Sequence, residues 1–485
     1  MDDSLKAKTK NGIYWSFVNQ VALNGMQFVV GIIMARKLSA SDYGITALPA
    51  VFIAIANVLV EAGFSTALIR KSEVTERDLS TVFYYSALVG VVCYILLYIG
   101  APFIASFYNT PILVSLIRVT ALTFLWSPLI TPQNVILNRN LNFKTKAKIS
   151  IVNKCISAIV GVSMAYLGYG LWSLVVTGIV SSLLDLIMLW YAVKWIPKTS
   201  WSRESFSYLW GFGNKMLLSN LMNTIHSNIM SVLVGKFYSP VDLGIYNRAN
   251  GYARMPYDQI SGIVQTVAYP VLCKTQTSEE SVLSAYRKML KTICFVTFPI
   301  MFMLIGLAKP LIIVLITEKW ADSILLLQLL CLSVMWGPVS SMISIFFQVK
   351  GRSDILLNVN VKKKIVGLLI MCVFLPFGLT MFCVGNIFNQ IYVICTNMLA
   401  VKKISGLSLF DQLRDIKFSY LISLSMCGMI LTLNLLLDNY YLQLIVGFCI
   451  GTSYYFIMAH LLKMEELKAV KIMIYNKKNK ICSNG

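Results

Sequence analysis

The sequence is poor in the residue types from which catalytic and metal sites are built. Of its 485 residues, 13% are charged and 2 are His. It holds no glycine-rich phosphate loop, no nucleophile elbow and no cluster of His residues, so nothing in it supports catalysis. The 11 Cys lie mostly within apolar runs and form no CxxC pair, which argues against a disulfide framework or a zinc site. We therefore expect a protein that is not an enzyme and that holds no metal and no other cofactor.

Apolar residues, in contrast, are abundant. They make up 57% of the chain, and apolar runs of about 20 residues recur along its whole length, which predicts an all-α polytopic membrane protein. Lys6, Lys8 and Lys10 precede an apolar stretch that is too long for the core of a signal peptide, so we interpret it as a retained span. We predict about fourteen transmembrane helices. Their boundaries are Gly12–Ala35, Gly44–Ile69, Thr81–Phe107, Leu113–Leu137, Ile149–Leu167, Leu171–Ile196, Leu209–Phe237, Gly244–Leu272, Leu290–Ile316, Ile324–Val349, Leu356–Leu375, Leu379–Val401, Phe418–Leu437 and Tyr440–Leu462.

A polar connector, Pro197–Ser205, separates the first six predicted spans from the next six. Six is an even number, so both halves enter the membrane from the same side, and the repeat is parallel. The last two spans have no counterpart in it. The predicted domains are an N-terminal six-helix lobe (1–196), a cytoplasmic connector (197–208), a C-terminal six-helix lobe (209–402), two additional helices (403–462) and a basic cytoplasmic tail (463–485).

The formal net charge is +21, and most of the 42 Lys and Arg fall in alternate predicted loops and in the two tails. The opposite loops, at 108–112 and 168–170, are nearly uncharged. This is the positive-inside pattern, which accounts for the charge without a nucleic-acid partner and places both termini in the cytoplasm. The basic groups assigned to the cytoplasmic side include Lys144, Lys146, Lys148, Lys362, Lys363, Lys364, Lys477, Lys478 and Lys480.

Two stretches 200 positions apart match each other. Lys37–Ile45 reads KLSASDYGI and Phe237–Ile245 reads FYSPVDLGI, with Ser, Asp, Gly and Ile shared at one offset. A fixed offset between two hydrophobic halves is typical of a duplicated transporter.

Polar side chains lie along one face of the first and seventh predicted spans, at helical spacing. Interhelical hydrogen bonding is one explanation. A water-filled cavity shared by the two halves explains better why the stripe occurs in both. The residues are Ser16, Gln20, Asn24, Gln27 and Gly31 in the first span, and Asn220, Thr224, Ser227 and Ser231 in the seventh.

The eighth span carries Arg248, Arg254 and Asp258. Each ionisable group at membrane depth costs roughly 2.5 to 3.5 kcal/mol on insertion scales, so three in one span need a functional or structural reason. Arg254 lies roughly 15 Å below the outer end and Arg248 roughly 6 Å below it. Asp258 is four residues from Arg254 and could pair with it, and Arg248 could reach the surface. Alternatively, the guanidinium groups bind an anionic phosphate of the cargo.

Glu61 and Asp258 are the deep carboxylates of the predicted cavity helices, so they are the candidates for proton or sodium coupling. Asp258 could instead pair with Arg254, and Glu61 could be a structural hydrogen-bonding residue. Other ionisable residues within predicted spans include Arg118, Lys154, Asp185 and Lys215.

Several short motifs, taken together in their order and spacing, resemble the polysaccharide transport family of the multidrug/oligosaccharidyl-lipid/polysaccharide (MOP) exporter superfamily. The closest resemblance is to Wzx-type and teichuronic-acid-exporter-type flippases. The motifs are LSASDYGI (38–45), ALIRK (67–71), ILNRNLNFK (136–144), GYGLWSLV (168–175), LGIYNRA (243–249) and YPVL (269–272).

The resemblance implies a MATE-like fold with two six-helix lobes around a central cavity, working by alternating access in a bacterial inner membrane. It also implies a polyprenyl-pyrophosphate-linked oligosaccharide as cargo. Membrane lipids, glycan polymerase and glycosyltransferases are the implied partners. Relatives line the cavity with spans one, two, seven and eight. Peptidoglycan-precursor flippases carry several cavity arginines in the first lobe, and this chain has none there at depth.

Two alternatives stay open. A multidrug or cation antiporter would share the fold, and Glu61 and Asp258 would favour it over an anion transporter, whereas Arg248 and Arg254 favour the anion. A membrane scaffold for glycan assembly would transport nothing and would need neither the polar stripes nor the repeat.

Overall fold

The computed structural model describes residues 3–275 and 278–467. The predicted tail residues 468–485, including Lys477, Lys478 and Lys480, lie outside this part. The described chain is helical and forms two compact units, which divide between Gly244 and Ile245. The predicted connector at 197–208 therefore falls inside the first unit. The division into two six-helix lobes, which rests on the repeat, stays a prediction.

The helices of the first unit are held together by apolar contacts and small residues. Helix α10 packs on α3 and α4, where Gly213 lies against Ala62 and Phe64. The ranges are α1 Asp3–Lys37, α2 Ala40–Ala47, α3 Ala50–Glu61, α4 Phe64–Arg70, α5 Glu76–Phe107, α6 Leu113–Ala121, α7 Thr131–Arg139, α8 Phe143–Tyr166, α9 Trp172–Val193 and α10 Arg203–Phe237.

The second unit begins within α11, a 35-residue helix. Its core is rich in aromatic side chains, such as the fully buried Phe298, Phe302 and Trp320. The ranges are α11 Pro240–Lys274, α12 Glu279–Gly306, α13 Ala308–Ile316, α14 Ser323–Val334, α15 Gly337–Val349, α16 Ser353–Phe374, α17 Leu379–Ser405, α18 Leu409–Leu436 and α19 Tyr440–Leu461.

Eleven helical segments of the described chain are long and apolar enough to cross a membrane. The helices α10, α11 and α16 occupy the positions of the other three predicted spans but are more polar. Lys362, Lys363 and Lys364 lie inside α16, within the predicted span Leu356–Leu375, and their position on the cytoplasmic side stays a prediction. The chain is a multi-pass membrane protein, and the count of fourteen spans stays a prediction.

Four predicted spans are interrupted helices in the structure. The second breaks after Glu61, where Ala62 and Gly63 adopt left-handed conformations with φ of 43° and 71°. The fourth passes through two 3₁₀ turns, Leu122–Leu125 and Ser127–Ile130. The ninth breaks at Leu307, and the tenth breaks just before Gly337. The predicted turn at 376–378 is confirmed, since α16 runs into a 3₁₀ turn and Gly378 has a φ of 92°.

The two repeat-related motifs begin their helices in the same way. The hydroxyl of Ser39 and its backbone N–H both donate to Asp42 Oδ2, at 2.7 and 2.9 Å. Ser239 and Asp242 form the same contacts at 2.7 and 3.1 Å. The backbone N–H groups of Asp42 and Asp242 donate back to the Ser39 and Ser239 hydroxyls, both at 3.1 Å, so each motif is a capping box that satisfies backbone donors a helix start otherwise leaves unpaired. The repeat predicted from sequence is therefore also a repeat of local structure.

Gly44 and Gly244 bring these two helix starts into direct contact within the first unit. A Cβ atom at Gly44 would overlap the carbonyl oxygen of Pro240, and one at Gly244 would overlap that of Ala40. The contact is reciprocal and has a small residue on each side, a common means of close helix packing in membranes.

Two further motifs are structural. The Arg139 guanidinium, from the ILNRNLNFK stretch, donates to the carbonyl oxygens of Leu68 and Ser72, both at 2.8 Å. Those carbonyls belong to the end of α4 and the turn after it, in and next to the ALIRK stretch. Arg139 thus satisfies the acceptors that a helix C-terminus leaves open.

Candidate anion-binding site

The part of α11 that belongs to the second unit is held in place by a buried tyrosine close to its two arginines. Tyr246 is buried, and its ring lies 6.1 Å from the ring of Phe382 on α17. Arg248 is the next residue but one, and Arg254 follows less than two turns later. Anchoring at Tyr246 therefore sets the position from which both guanidinium groups extend.

Arg248 lies against aromatic faces. Its guanidinium carbon is 5.4 Å from the centre of the Trp320 ring and 5.8 Å from that of Tyr252. Trp320 is fully buried and sits in the 3₁₀ turn Glu318–Trp320, directly after Thr317, whose φ is 79°. A cation over an aromatic face is attracted by the ring quadrupole and keeps its full charge.

Arg254 is exposed and lies 5.7 Å from the centre of the Tyr257 ring. Between them stands Pro256, which has no N–H to donate to the carbonyl of Tyr252 one turn earlier. The arginine therefore projects next to a point where the regular hydrogen bonding of α11 is interrupted. Such interruptions are tolerated in spans where the backbone is covered by protein or lines a polar space.

The expected ion pair between Arg254 and Asp258 is not formed. Among the described residues, no carboxylate oxygen lies within 4.0 Å of the Arg254 guanidinium, although the two residues are four apart. Both side chains are exposed. The charge of Arg254 thus remains available to an anion.

The polar stripes lie in the first unit. On α1, Gln20 and Gln27 are exposed, and Gln20 Nε2 donates to Asn24 Oδ1 at 3.4 Å. Further along the same helix, Met34 packs against Ala165 of α8. Gln20 and Gln27 are therefore accessible, as polar groups along a transport path would be.

On α10 the stripe is partly used within the helix. Asn220 and Thr224 are half-buried, and the Thr224 carbonyl accepts hydrogen bonds from Ser227 Oγ at 3.0 Å and Asn228 Nδ2 at 2.8 Å. Part of this polarity thus serves hydrogen bonding within α10 itself, and the interhelical bonding considered from the sequence stays a prediction.

Glu61 is exposed and is the last residue of α3. It directly precedes the left-handed pair at Ala62 and Gly63, and Gly63 lies against Met216 of α10. The structure thereby brings Glu61 to the helix break that α10 covers. No group of three or more His, Cys, Asp or Glu that could hold a metal ion occurs within the described residues.

Sequence reasoning missed the aromatic residues behind the arginines, Trp320 and Tyr257, and also Gly337, against which Tyr257 packs. A usable signal was present. Trp126-Ser-Pro128 and Trp336-Gly-Pro338 recur at an offset of 210, and both stand at helix breaks. An offset of 200 alone could not show it, because ten residues more separate the later elements of the repeat.

Comparisons with known proteins agree with this fold. Residues 33–325 match the family described as "Polysaccharide biosynthesis protein". The chain is 27% identical over 358 residues to the teichuronic acid biosynthesis protein TuaB of Bacillus subtilis, covering 73% of each chain. It is 24% identical over 366 residues to the lipopolysaccharide biosynthesis protein WzxC of Escherichia coli, covering 74% of each.

Among solved structures, the lipid II flippase MurJ in an inward closed conformation superposes with a TM-score of 0.75 at 18% identity. That match covers 93% of this chain and 98% of MurJ. An inward-facing multidrug resistance MATE transporter of the MOP superfamily gives a TM-score of 0.58 at 17% identity, covering 80% of this chain and 98% of the transporter. These likenesses establish the fold. The family match spans more than half of the sequence, and the chain belongs to the polysaccharide biosynthesis protein family.

Proposed function

We propose that this protein is a flippase that moves a polyprenyl-pyrophosphate-linked oligosaccharide across the bacterial inner membrane for surface polysaccharide synthesis. Alternating access is the proposed mechanism. Family membership and the fold shared with MurJ support the proposal. Glycan polymerase and glycosyltransferases are the partners that such a pathway requires.

One observation carries the choice of an anionic cargo. Arg254 stands within α11, exposed, beside an aromatic ring and with no described carboxylate within ion-pair distance. A guanidinium in this setting presents a planar fork of donors that fits phosphate oxygens in a bidentate manner. A cation antiporter would need the opposite sign at this place, so the geometry favours the flippase.

Transport of an anion outward has a physical drive in the membrane potential. An inside-negative potential acts on each elementary charge with roughly 2.3 kcal/mol per 100 mV. A pyrophosphate crossing from the inner to the outer leaflet moves in the favoured direction. Ion coupling is therefore not required by energetics.

We further propose that both termini face the cytoplasm, as the distribution of basic residues supports. A reporter that is active only in the cytoplasm should work when fused after Gly406, beyond the basic end of α17. It should fail when fused at Asn109 or Tyr169. Reversal at two of these sites would contradict the proposed orientation.

The central test replaces Arg254 in cells that lack the native protein. Surface glycan is measured and normalised to the amount of each variant in the membrane. Arg254→Ala removes charge-assisted hydrogen bonds worth about 1.5 to 3 kcal/mol, so we expect export to fall about 10-fold or more. Arg254→Lys keeps the charge but loses the planar fork, and it should also export poorly.

Asp258 supplies the control for a structural role. The double variant Arg254→Ala with Asp258→Asn removes both members of any ion pair, so it would restore export if the arginine served only to neutralise Asp258. We expect no restoration, because the two side chains are not paired in the structure. Normal glycan from the double variant would overturn the phosphate-ligand role.

A further inference from the structure

At the break between α14 and α15, a glycine leaves space for an aromatic ring. Trp336 lies in the break, and its ring centre is 5.2 Å from that of Phe298 and 6.0 Å from that of Tyr420. Gly337 follows it, and a Cβ atom at this position would overlap the Tyr257 ring of α11. The ring of Tyr257 therefore occupies space that exists because residue 337 has no side chain.

The same ring also lies beside Arg254, whose guanidinium carbon is 5.7 Å from the ring centre. Tyr257 thus has the backbone of α15 on one side and the candidate phosphate ligand on another. Arg254 has a long side chain with several rotatable bonds. Holding it in one orientation costs conformational entropy, and a fixed neighbouring surface reduces that cost.

We propose that Gly337 and Tyr257 are positioning residues that orient the Arg254 guanidinium for its phosphate, an inference that rests on the proposed function. Tyr257 provides an aromatic face that steers the cation and leaves its charge intact. Gly337 fixes the ring by letting it seat directly on the backbone at the helix break. Neither residue needs to touch the cargo.

Whether the N–H donors of an arginine stay available depends on whether it lies against an aromatic ring or a carboxylate. Arg287 on α12 shows the second kind, since its Nε and Nη2 donate to the two oxygens of Asp415 at 2.6 and 2.8 Å. That fork is fully used by its partner. The fork of Arg254 faces a ring that has no acceptor oxygen on its face, so its donors remain free to meet phosphate oxygens.

The test uses the full-length protein purified in detergent, with inorganic pyrophosphate as the probe. A ligand that binds the folded state raises the melting temperature in a concentration-dependent way, so titration gives an apparent Kd for each variant. The unfolding midpoint without ligand reports the structural effect of the substitution separately from its effect on binding.

Tyr257→Phe keeps the ring and should bind as the unaltered protein does. Tyr257→Leu removes the aromatic face, and we expect its apparent Kd to rise about 2- to 5-fold, the size of an exposed cation–π contact. Gly337→Ala should weaken binding at least as much, because it displaces the ring. The matched control is Gly385→Ala, where a Cβ atom would lie 2.9 Å from Phe374, another glycine–aromatic contact in the same unit with no candidate ligand arginine in it.

A double substitution identifies the route of the effect. If Gly337 acts by seating the Tyr257 ring, adding Gly337→Ala to Tyr257→Leu should weaken binding no further. In Arg254→Ala, Tyr257→Leu should likewise leave the residual apparent Kd unchanged.

The outcomes separate this inference from the proposed function. If pyrophosphate does not stabilise the unaltered protein, or stabilises Arg254→Ala equally, the phosphate-ligand role fails and the positioning role with it. If Arg254→Ala loses binding while Tyr257→Leu and Gly337→Ala bind normally, the positioning role alone is overturned. A lowered midpoint without ligand, with unchanged Kd, would likewise reduce the two residues to packing.

Discussion

We call the segments that begin with the two Ser-x-x-Asp-x-Gly motifs, residues 39–70 and 239–274, the first and second hairpin. Their helices begin alike and then differ. In the first, the chain after Gly44 forms short helices interrupted at Leu48–Pro49 and again at Ala62–Gly63. In the second, α11 is a single helix of 35 residues and carries Arg248 and Arg254. Their counterparts in the first hairpin, Leu48 and Ala54, are apolar.

Burial explains why the charges sit in one copy. Leu48 is 2% exposed and packs against the backbone of α10 at Gly235, so a charge there would have no water and no partner. Arg248 and Arg254 instead lie against aromatic rings. A duplicated structure can thus keep one copy for packing and use the other for binding, provided that the second copy retains space around its helix.

The largest effect is expected when the first hairpin is given an arginine at the position where the second hairpin carries one. Leu48→Arg places a guanidinium in an apolar contact, at a cost of about 2.5 to 3.5 kcal/mol or more. The variant should scarcely accumulate in the membrane, or its melting temperature should fall steeply. The converse change, Arg248→Leu, should leave the folded protein abundant. Equal abundance of both variants would refute the division of roles between the two hairpins.

Sequence alone was sufficient for the elements with strong local signals. The two capping boxes follow from Ser and Asp at fixed spacing, and the long apolar runs predicted most of the helices. The turn at Gly378 was also predictable, because Pro-Phe-Gly ends a helix regardless of its surroundings. These features depend on residues that are close in the sequence.

The breaks and the aromatic supports could not be derived in the same way. Nothing local requires Ala62 to adopt a φ of 43°, and this conformation is accommodated where α10 packs against the turn. The contact of Arg248 with Trp320 joins residues 72 positions apart. The Arg254–Asp258 pair was expected from spacing on an ideal helix, and an interaction at that spacing still needs side chains that turn toward each other.

A smaller effect is expected where the two hairpins are equivalent. Gly44→Ala and Gly244→Ala each place a methyl group against a backbone carbonyl that cannot move independently of its helix. Overpacking of this kind costs about 1 to 3 kcal/mol, so both variants should lose stability by similar amounts in thermal unfolding.

Gly251→Ala is the control for the glycine pair, because it lies on the same α11 with no atom within 4 Å of the added Cβ. It should be neutral, or stabilising by up to about 1 kcal/mol through helix propensity. If Gly44→Ala is tolerated like this control while Gly244→Ala is not, the result would contradict a reciprocal contact between the two hairpins.

The smallest structural effect, and the sharpest distinction between the halves, concerns Glu61. Glu61 is exposed at the end of α3, whereas its counterpart in the second half, Ser261, is 6% exposed. A carboxylate in one copy alone would make ion coupling a property of the first half and cargo binding a property of the second. Glu61→Gln keeps the size and hydrogen-bonding capacity of the side chain and removes the charge, so stability should change by less than about 0.5 kcal/mol.

The measurement is surface glycan, normalised to protein in the membrane, over a range of external pH and sodium concentration. If Glu61 couples transport to an ion, export by the unaltered protein varies with that ion and export by Glu61→Gln does not. Asp258→Asn serves as the companion variant, because Asp258 is the other deep carboxylate and lies beside the arginines. If both variants and the unaltered protein respond identically, neither carboxylate couples transport to an ion. The membrane potential acting on the pyrophosphate charge would then be sufficient to drive export.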